Sequence, residues 1–263
     1  GLMMARSRKD PSVDPVLDTL LSFAASSEDP ISGGRHKVWG SLGMHVPPQT
    51  STIASHLPKA VGTALALEQA ARMGIEPPVA RDAVILCSFG DASANHSVAA
   101  GAFNAAQWAA HQGLPVPILF LCEDNGIGIS VKTPSGWIET SFSRRPGIDF
   151  FSGDGLDLVE CYEVTRRALE HCRRSRRPTF LHLRLKRLLG HAGTDVETDY
   201  LSLQEVEATE ALDPLLLGAE TALETGLLSA QALLGLYETC RQQARLAAGR
   251  AASRPKLTTR AQV

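Results

Sequence analysis

The sequence carries no strong charge of either sign, and this absence excludes one class of partner. Its 263 residues have a formal net charge of −2, and the basic residues are spread along the chain rather than clustered. Proteins that bind nucleic acids concentrate lysine and arginine on one surface, where they face the phosphates. We therefore predict that nucleic acid is not a partner.

Long apolar runs and paired cysteine motifs are also missing. No stretch reaches the roughly 18 uninterrupted apolar residues that a membrane-spanning helix needs, and residues 1–11 lack the apolar core of a signal sequence. The five cysteines are an odd number without a Cys-x-x-Cys pair, which argues against structural zinc and for a reducing compartment. These absences predict a cytoplasmic protein with no membrane partner.

Apolar segments of strand and helix length do occur, and they alternate. Continuous apolar runs predict buried strands, while amphipathic or alanine-rich segments predict helices. The strands are expected over 83–89, 117–122 and 179–183, and the helices over 16–23, 60–73, 98–110 and 156–173. Strand, helix, strand, helix, strand is typical of a doubly wound, mostly parallel α/β sheet flanked by helices, which is the fold class that we predict.

Beyond the predicted sheet the chain becomes helical. Helical segments over 211–224 and 229–248 lead to a polar segment at 253–260 that is typical of a linker. We expect an α/β domain over residues 1–200 and a helical extension with a linker over residues 201–263. Because the first residue is not methionine and the tail looks like a linker, we also expect further chain on both sides.

Polar residues follow two of the predicted strands directly. Asp91 follows the first strand and Asn125 the second, 34 positions apart with a helix between them. Ligands of parallel sheets bind beyond the carboxyl ends of the strands, so these side chains converge if the two strands are neighbours. A carboxylate with an amide oxygen suits Mg²⁺, which also binds phosphate oxygens. Each motif alone is more typical of a turn or a helix cap than of a metal ligand, and only their combination indicates a metal site.

Two segments carry a family resemblance: residues 90–95 (Gly-Asp-Ala-Ser-Ala-Asn) and residues 123–130 (Glu-Asp-Asn-Gly-Ile-Gly-Ile-Ser). They resemble the thiamine diphosphate motif of transketolase-like enzymes, and most closely that of the alpha subunit of 2-oxo acid dehydrogenases. The resemblance covers residues 33–200, is weaker in the terminal helices, and implies the thiamine diphosphate-binding fold.

On this resemblance, two side chains and one backbone carbonyl hold Mg²⁺. The side chains are those of Asp91 and Asn125, and the carbonyl belongs to Ile127. The neighbouring residues that the resemblance places against thiamine diphosphate are Gly90, Ala92 and Ser93.

Several positions depart from the family pattern. Ala92 stands where the family usually has glycine, and Ile127 where it usually has an aromatic residue. Asp124 replaces the more usual asparagine, which adds a negative charge near the metal and leaves its role open. A second Gly-Asp-Gly, at 153–155, has no Asp-Asn at the required separation. We predict that it is a decoy, and that Asp157 caps the helix after it.

A third matching segment, at 187–195, follows the last predicted strand. Its sequence, Arg-Leu-Leu-Gly-His-Ala-Gly-Thr-Asp, resembles the family's Arg-x-x-Gly-His-Ser-x-Ser-Asp loop, which folds over the cofactor. The resemblance implies that Arg187 helps to bind the diphosphate. It also makes His191 a cofactor contact and the catalytic residue that faces the reacting centre. Taken alone, His191 is typical of an ordinary solvated loop residue.

A fourth match lies at 50–58, in front of the alanine-rich helix. In the family, the residue equivalent to Ile53 packs under the aminopyrimidine of the cofactor. Neighbouring hydroxyls, here that of Ser51, can line a structural monovalent-cation site. The same residues are equally typical of a capping loop at the start of a helix.

The resemblance also implies an activity and partners. The family uses Mg-thiamine diphosphate for oxidative decarboxylation of a 2-oxo acid, either pyruvate or a branched-chain acid, and passes the acyl group to a lipoyl acyltransferase. The glutamate that activates the cofactor comes from a beta subunit or a C-terminal beta-like domain, in an alpha–beta heterotetramer. No residue of this chain fills that role, so we expect the chain alone to be inactive.

Three alternatives stay open on the sequence. The first is another transketolase-like thiamine diphosphate enzyme, against which the 187–195 loop argues. The second is a non-catalytic nucleotide-binding module, which would be expected to carry a Gly-x-Gly-x-x-Gly turn after the first strand; that turn is absent. The third is a non-catalytic assembly subunit of the same fold, suggested by Ala92, Asp124 and Ile127.

Overall fold

The computed structural model describes residues 2–49 and 51–262, with side chains from residue 5 onward. The chain divides into two compact units, Gly1–Ser51 with Ala222–Val263, and Thr52–Thr221. The predicted domains, 1–200 and 201–263, do not coincide with these units, because both ends of the chain contribute helices to the first unit.

In the described part of the chain, the α-helices are α1 (Leu2–Lys9), α2 (Pro15–Phe23), α3 (His56–Arg72), α4 (Asp91–Ala94), α5 (Ser97–His111), α6 (Trp137–Phe142), α7 (Leu158–Ser175), α8 (Leu203–Glu210), α9 (Pro214–Glu224) and α10 (Ala230–Ala252). The strands are β1 (Ile85–Gly90), β2 (Ile118–Asp124), β3 (Ile127–Gly128), β4 (Val131–Lys132), β5 (Asp149–Asp154) and β6 (Thr179–Arg184). Among these helices, none is long and apolar enough to cross a bilayer.

The main sheet of the second unit has four parallel strands in the order β1-β2-β6-β5. The chain passes from β1 to β2 through α5, and from β5 back to β6 through α7, in the opposite direction across the sheet. Because parallel crossovers are right-handed, α5 and α7 must cover opposite faces. The predicted doubly wound α/β fold is confirmed.

Each face of the sheet has its own core. On one face, Phe120 and Phe180 pack against residues of α3, α5 and α6. The ring centroids of Phe120 and Phe103 are 5.0 Å apart at 73°, an edge-to-face pair that contributes about 1 kcal/mol beyond its buried area. On the other face, Leu119 and Leu181 pack against α7. The two cores fix the positions of β2 and β6, whose ends carry most of the candidate site.

Helix α7 follows the second Gly-Asp-Gly and begins at Leu158, whereas the sequence predicts a start at residue 156. The Asp157 carboxylate accepts hydrogen bonds from the backbone N–H groups of Val159 and Glu160, both at 2.9 Å, so the predicted cap is confirmed. Asp154, of the Gly-Asp-Gly motif, is the last residue of β5. Since β6 lies between β5 and β2, Asp154 is not on a strand adjacent to β1 or β2.

The first unit is helical, with α2 packed against α10. Arg250 of α10 forms an ion pair with Asp14, the N-cap of α2, at 3.6 Å. The Pro255 carbonyl accepts hydrogen bonds from the Ser26 hydroxyl at 3.0 Å and the Ser27 N–H at 2.8 Å. The segment predicted to be a linker is therefore bonded to the amino-terminal part of the chain near Pro255.

All five cysteines lie within the described residues and are free thiols. Cys87 and Cys122 are buried in β1 and β2, as the apolar runs predict. Burial raises the pKa of both thiols, which keeps them protonated and unreactive.

Candidate functional site

Asp91 lies immediately after β1, at the start of the short helix α4, and is 1% exposed. Burial raises the pKa of its carboxyl group; the hydrogen bond from Thr133 lowers it, and the charge of Asp124 raises it again. The Thr133 hydroxyl donates to Oδ2 of Asp91. In the described part of the chain, no lysine or arginine forms an ion pair with Asp91. Its negative charge is therefore buried without a cation.

Asn125 reaches Asp91 because β1 and β2 are neighbours. Gly90 and Glu123 are register partners at the ends of these strands, and the backbone N–H of Asn125 hydrogen-bonds to the Asp91 carboxylate. The structure thus brings together the two residues that the sequence predicts to share a metal.

The chain after Asn125 forms a closed turn. The Asn125 side-chain oxygen accepts a hydrogen bond from the Ile127 N–H at 3.1 Å. The Gly126 carbonyl accepts one from the Thr133 N–H at 3.0 Å, across the hairpin of β3 and β4. Thr133 therefore binds both the turn, through its backbone, and Asp91, through its side chain.

Ala92, one of the departures from the family pattern, lies against Gly128. A Cβ atom at Gly128 would be only 2.6 Å from the Ala92 Cβ, closer than any real contact between such atoms. The methyl group of Ala92 fits because Gly128 has none. The other predicted cofactor contacts of this segment, Gly90 and Ser93, are both half-buried, at the end of β1 and within α4.

Asp124, whose role the sequence left open, makes hydrogen bonds with both carboxylate oxygens. Oδ1 accepts from the Gly126 N–H at 3.1 Å, and Oδ2 lies 2.8 Å from Nε2 of His182 on β6. The Asp124 backbone carbonyl accepts from the Leu185 N–H at 2.7 Å. The end of β2 is thus tied to the end of β6.

The 187–195 loop is organised around Asp195. The Asp195 carboxylate accepts from the backbone N–H of His191 and from the Tyr200 hydroxyl, and these two bonds hold its pKa below the usual range. Nη2 of Arg187 donates to the Tyr200 hydroxyl at 2.8 Å and lies 3.9 Å from Asp195. The His191 side chain is exposed. Among the described residues, no hydrogen bond joins this loop to Asp91 or Asn125.

The segment before α3 lies partly outside the described residues, because Thr50 is not among them. Ile53 is 55% exposed. The Ser51 hydroxyl lies 3.4 Å from Nε2 of His36, within the first compact unit. Ser55, at the start of α3, makes no side-chain capping bond. His56 instead donates from Nε2 to the Ser88 carbonyl at 2.8 Å, which ties the start of α3 to β1.

The residues around Asp91 fit a hard cation. The available donors are a carboxylate, an amide oxygen and backbone carbonyls, which are the ligands that Mg²⁺ prefers. A bound cation stabilises the ionised form of a buried carboxylate that has a second carboxylate nearby. Asp91 is such a carboxylate, with Asp124 as its neighbour. In the described residues no three His, Cys, Asp or Glu side chains form a metal cluster, so a metal here also needs amide and backbone oxygens.

Four residues that contact the candidate site, the 187–195 loop or the end of β1 were not predicted from the sequence: Thr133, His182, Tyr200 and His56. A polar residue within the apolar run of β6 was the available signal for His182. The contacts of the other three depend on turns and loops whose course the sequence pattern does not specify.

Comparison with known proteins gives a family and relatives. The family model described as "Dehydrogenase E1 component" matches residues 11–260. The 2-oxoisovalerate dehydrogenase subunit alpha of Bacillus subtilis (strain 168) is 33% identical over 218 residues, which is 81% of this chain and 62% of that protein. The human mitochondrial pyruvate dehydrogenase E1 component subunit alpha, somatic form, is 30% identical over 158 residues, 58% of this chain and 38% of that protein. The chain thus spans less than two thirds of the length of these relatives.

Proposed function

Because the chain belongs to the dehydrogenase E1 component family, we propose that it forms the diphosphate-binding half of a thiamine diphosphate site. The whole protein is then a 2-oxo acid dehydrogenase, and this chain corresponds to its alpha part. The observation that carries the proposal is the contact between Asp91 and Asn125, where a buried carboxylate without a cation accepts a hydrogen bond from the Asn125 backbone N–H at the carboxyl edge of the sheet.

At this edge, Asp91 and Asn125 hold Mg²⁺ through side-chain oxygens, and Ile127 holds it through its carbonyl. The turn that carries Asn125 and Ile127 is already closed by hydrogen bonds, so little backbone entropy is lost when the metal binds. The neighbouring cofactor contacts are Gly90, Ala92 and Ser93. When bound, thiamine diphosphate supplies the nucleophilic carbon and the electron sink for decarboxylation.

The 187–195 loop supplies the polar groups of the reaction. Arg187 is held by Tyr200 through one nitrogen only, which leaves other guanidinium N–H groups to bind diphosphate. The backbone of His191 is fixed by Asp195 while its ring is exposed, so an imidazole N–H would be able to hydrogen-bond the substrate carboxylate at the reacting centre. Ile53 would contact the aminopyrimidine, and Ser51 would contribute to a monovalent-cation site, as the family resemblance implies.

The proposed partners are those that the family resemblance of the sequence implies, and two relatives are alpha subunits by their names. A beta subunit or domain supplies the activating glutamate, in a heterotetramer, and a lipoyl acyltransferase accepts the acyl group. The two relatives act on 2-oxoisovalerate and pyruvate, by their names, and a 2-oxo acid of either kind is the proposed substrate. A cytoplasmic location is supported by the five unpaired cysteines.

Calorimetric titration with thiamine diphosphate and Mg²⁺ tests the proposal on the full-length protein with its beta partner. We expect binding that requires Mg²⁺. Asp91→Ala should weaken it by more than about 100-fold, since even changes of residues behind a metal ligand typically cost 10–100-fold in affinity.

Asp154→Ala is the matched control. Asp154 also ends a strand, and it lies in a Gly-Asp-Gly motif, but on β5. Its substitution should leave Mg²⁺-dependent binding unchanged. If the wild-type protein binds thiamine diphosphate equally well without a divalent cation, or does not bind it, the proposal is wrong.

A further inference from the structure

Asp124 and His182 form a hydrogen-bonded pair directly behind the proposed metal turn. We infer that His182 is a positioning residue, which holds the turn at 124–127 in a metal-binding conformation through its hydrogen bond to Asp124. This inference rests on the proposed function and deepens it, because it assigns a role to a strand residue that does not contact the metal.

Residue 124 is held at three points. Its Oδ2 meets Nε2 of His182 at 2.8 Å, its Oδ1 accepts the Gly126 N–H at 3.1 Å, and its carbonyl accepts the Leu185 N–H at 2.7 Å. Two of these three bonds come from β6 and the residue after it. The position of Asn125, the next residue, is therefore set by β6 as well as by β2.

Burial of the His182 side chain destabilises the folded state. Its side chain is 4% exposed, in a strand whose neighbouring residues are Phe180, Leu181 and Leu183. Its Nδ1 has no hydrogen-bond partner in the described structure. A buried polar ring with one unsatisfied nitrogen costs free energy that an apolar residue would not. The hydrogen bond from Nε2 to Asp124 offsets part of this cost.

The pair also fixes the orientation of the Asp124 carboxylate. Both of its carboxylate oxygens already accept hydrogen bonds, from His182 and from Gly126. His182 thereby holds one carboxylate oxygen of Asp124 toward β6, while the other oxygen accepts from the N–H of Gly126 within the turn. An aspartate has two acceptor oxygens for these two bonds, whereas the family's more usual asparagine has one.

Two substitutions separate the hydrogen bond from the bulk of the side chain. His182→Gln keeps an N–H donor near the Nε2 position, whereas His182→Leu removes the donor and keeps an apolar side chain. His171 gives a matched control: its Nε2 also lies 2.8 Å from a carboxylate, that of Asp149, but Asp149 is the first residue of β5 and lies at the opposite edge of the sheet.

The measurements are the Mg²⁺ concentration dependence of thiamine diphosphate binding by calorimetry, and the melting temperature without ligand. Both use the full-length protein with its beta partner. His182→Leu should raise the apparent Kd for Mg²⁺ by about 10-fold or more, and His182→Gln should stay within about threefold of wild type. His171→Leu should lower the melting temperature without changing the Kd.

Equal Mg²⁺ affinity in wild type and His182→Leu would overturn the inference and leave the proposed function standing. An equal loss in His182→Gln and His182→Leu would also overturn it, since the donor would then not matter. Absence of Mg²⁺-dependent binding in the wild type would instead remove the proposed function. If His182→Leu does not fold, Asp124→Ala removes the same bond from the more exposed side, together with the bond from Gly126, and must weaken Mg²⁺ binding by at least about 10-fold.

Discussion

Asp91 is 1% exposed, and no cationic side chain among the described residues forms an ion pair with its carboxylate. Burying a charge without a partner destabilises the folded state, and a metal that binds there offsets this cost. The negative charge of Asp91 therefore lowers the stability of the protein without ligand and raises its affinity for a cation.

Asp91→Asn is expected to separate the two properties. The amide retains the shape of the side chain and can hydrogen-bond to Thr133, but it carries no charge. Without ligand, the free energy of unfolding in urea should rise by about 1 kcal/mol, and Mg²⁺-dependent binding should be lost. A variant less stable than the wild type would show that the ionised carboxylate stabilises the empty site.

The same residues show what the sequence could and could not predict at this scale. The sequence pattern placed Asp91 and Asn125 directly after two strands, and their meeting was predicted on the condition that these strands are neighbours, which β1 and β2 are. The contact of Thr133 with Asp91 was not predictable, because it depends on the path of the hairpin formed by β3 and β4. The roles of Arg187, His191, Ile53 and Ser51 stay predictions.

The packing of α4 against β3 requires a residue without a Cβ atom at position 128. Gly128→Ala places a Cβ 2.6 Å from that of Ala92. Overpacking of this kind costs about 1–3 kcal/mol and displaces the backbone of the turn. We expect a lower melting temperature and a roughly tenfold weaker Mg²⁺-dependent binding of thiamine diphosphate.

The double variant Gly128→Ala with Ala92→Gly supplies the control for this experiment. It moves the methyl group from one side of the contact to the other, so both properties should return toward wild type. Failure of Ala92→Gly to restore either one would show that the collision is not the cause.

Helix α8 is attached to β4 by an ion pair between Glu205 and Lys132 at 2.6 Å. The bond from Lys132, together with bonds from Ser202, lowers the pKa of Glu205 to about 2, from 4.5. A lowered pKa in the folded state means that the stabilisation exists above pH 4.5 and is lost as the pH falls toward 2.

Glu205→Gln should therefore be less stable than wild type at neutral pH, and the difference should vanish at acidic pH. Urea unfolding at a series of pH values measures this. Glu207→Gln, an exposed position of the same helix, is the control and should show no such dependence. A wild-type advantage that persists near pH 2 would contradict the assigned ion pair.

At the scale of elements, β1, β2 and β6 were predicted because they are buried and apolar. β5 was missed, since its sequence, Asp-Phe-Phe-Ser-Gly-Asp, is polar at both ends and it lies at the edge of the sheet. The place of β6 between β2 and β5 was not predictable either, because hydrophobic periodicity specifies which segments are strands but not which of them pair.

For the whole molecule, the predicted family is confirmed by the match over residues 11–260. The division into compact units was not foreseen, because helical patterns do not reveal that α2 at one end of the chain packs against α10 at the other.

A further prediction concerns the chain in isolation. If a beta partner supplies the activating glutamate, the purified chain should release no carbon dioxide from pyruvate or 2-oxoisovalerate, even with Mg²⁺ and thiamine diphosphate. Addition of the beta partner should restore release. Turnover by the isolated chain would contradict the assignment of that glutamate to a partner.

The sheet order has a consequence for synthesis on the ribosome. β6 is the last strand of the main sheet to be made, yet it occupies the gap between β2 and β5. A nascent chain that ends before residue 179 therefore leaves facing strand edges unpaired, a state in which segments of other chains can pair in its place. Two of the three bonds that fix Asp124 come from β6 and the residue after it, so we expect the turn at 124–127 to be held in place only after the last strand has joined the sheet.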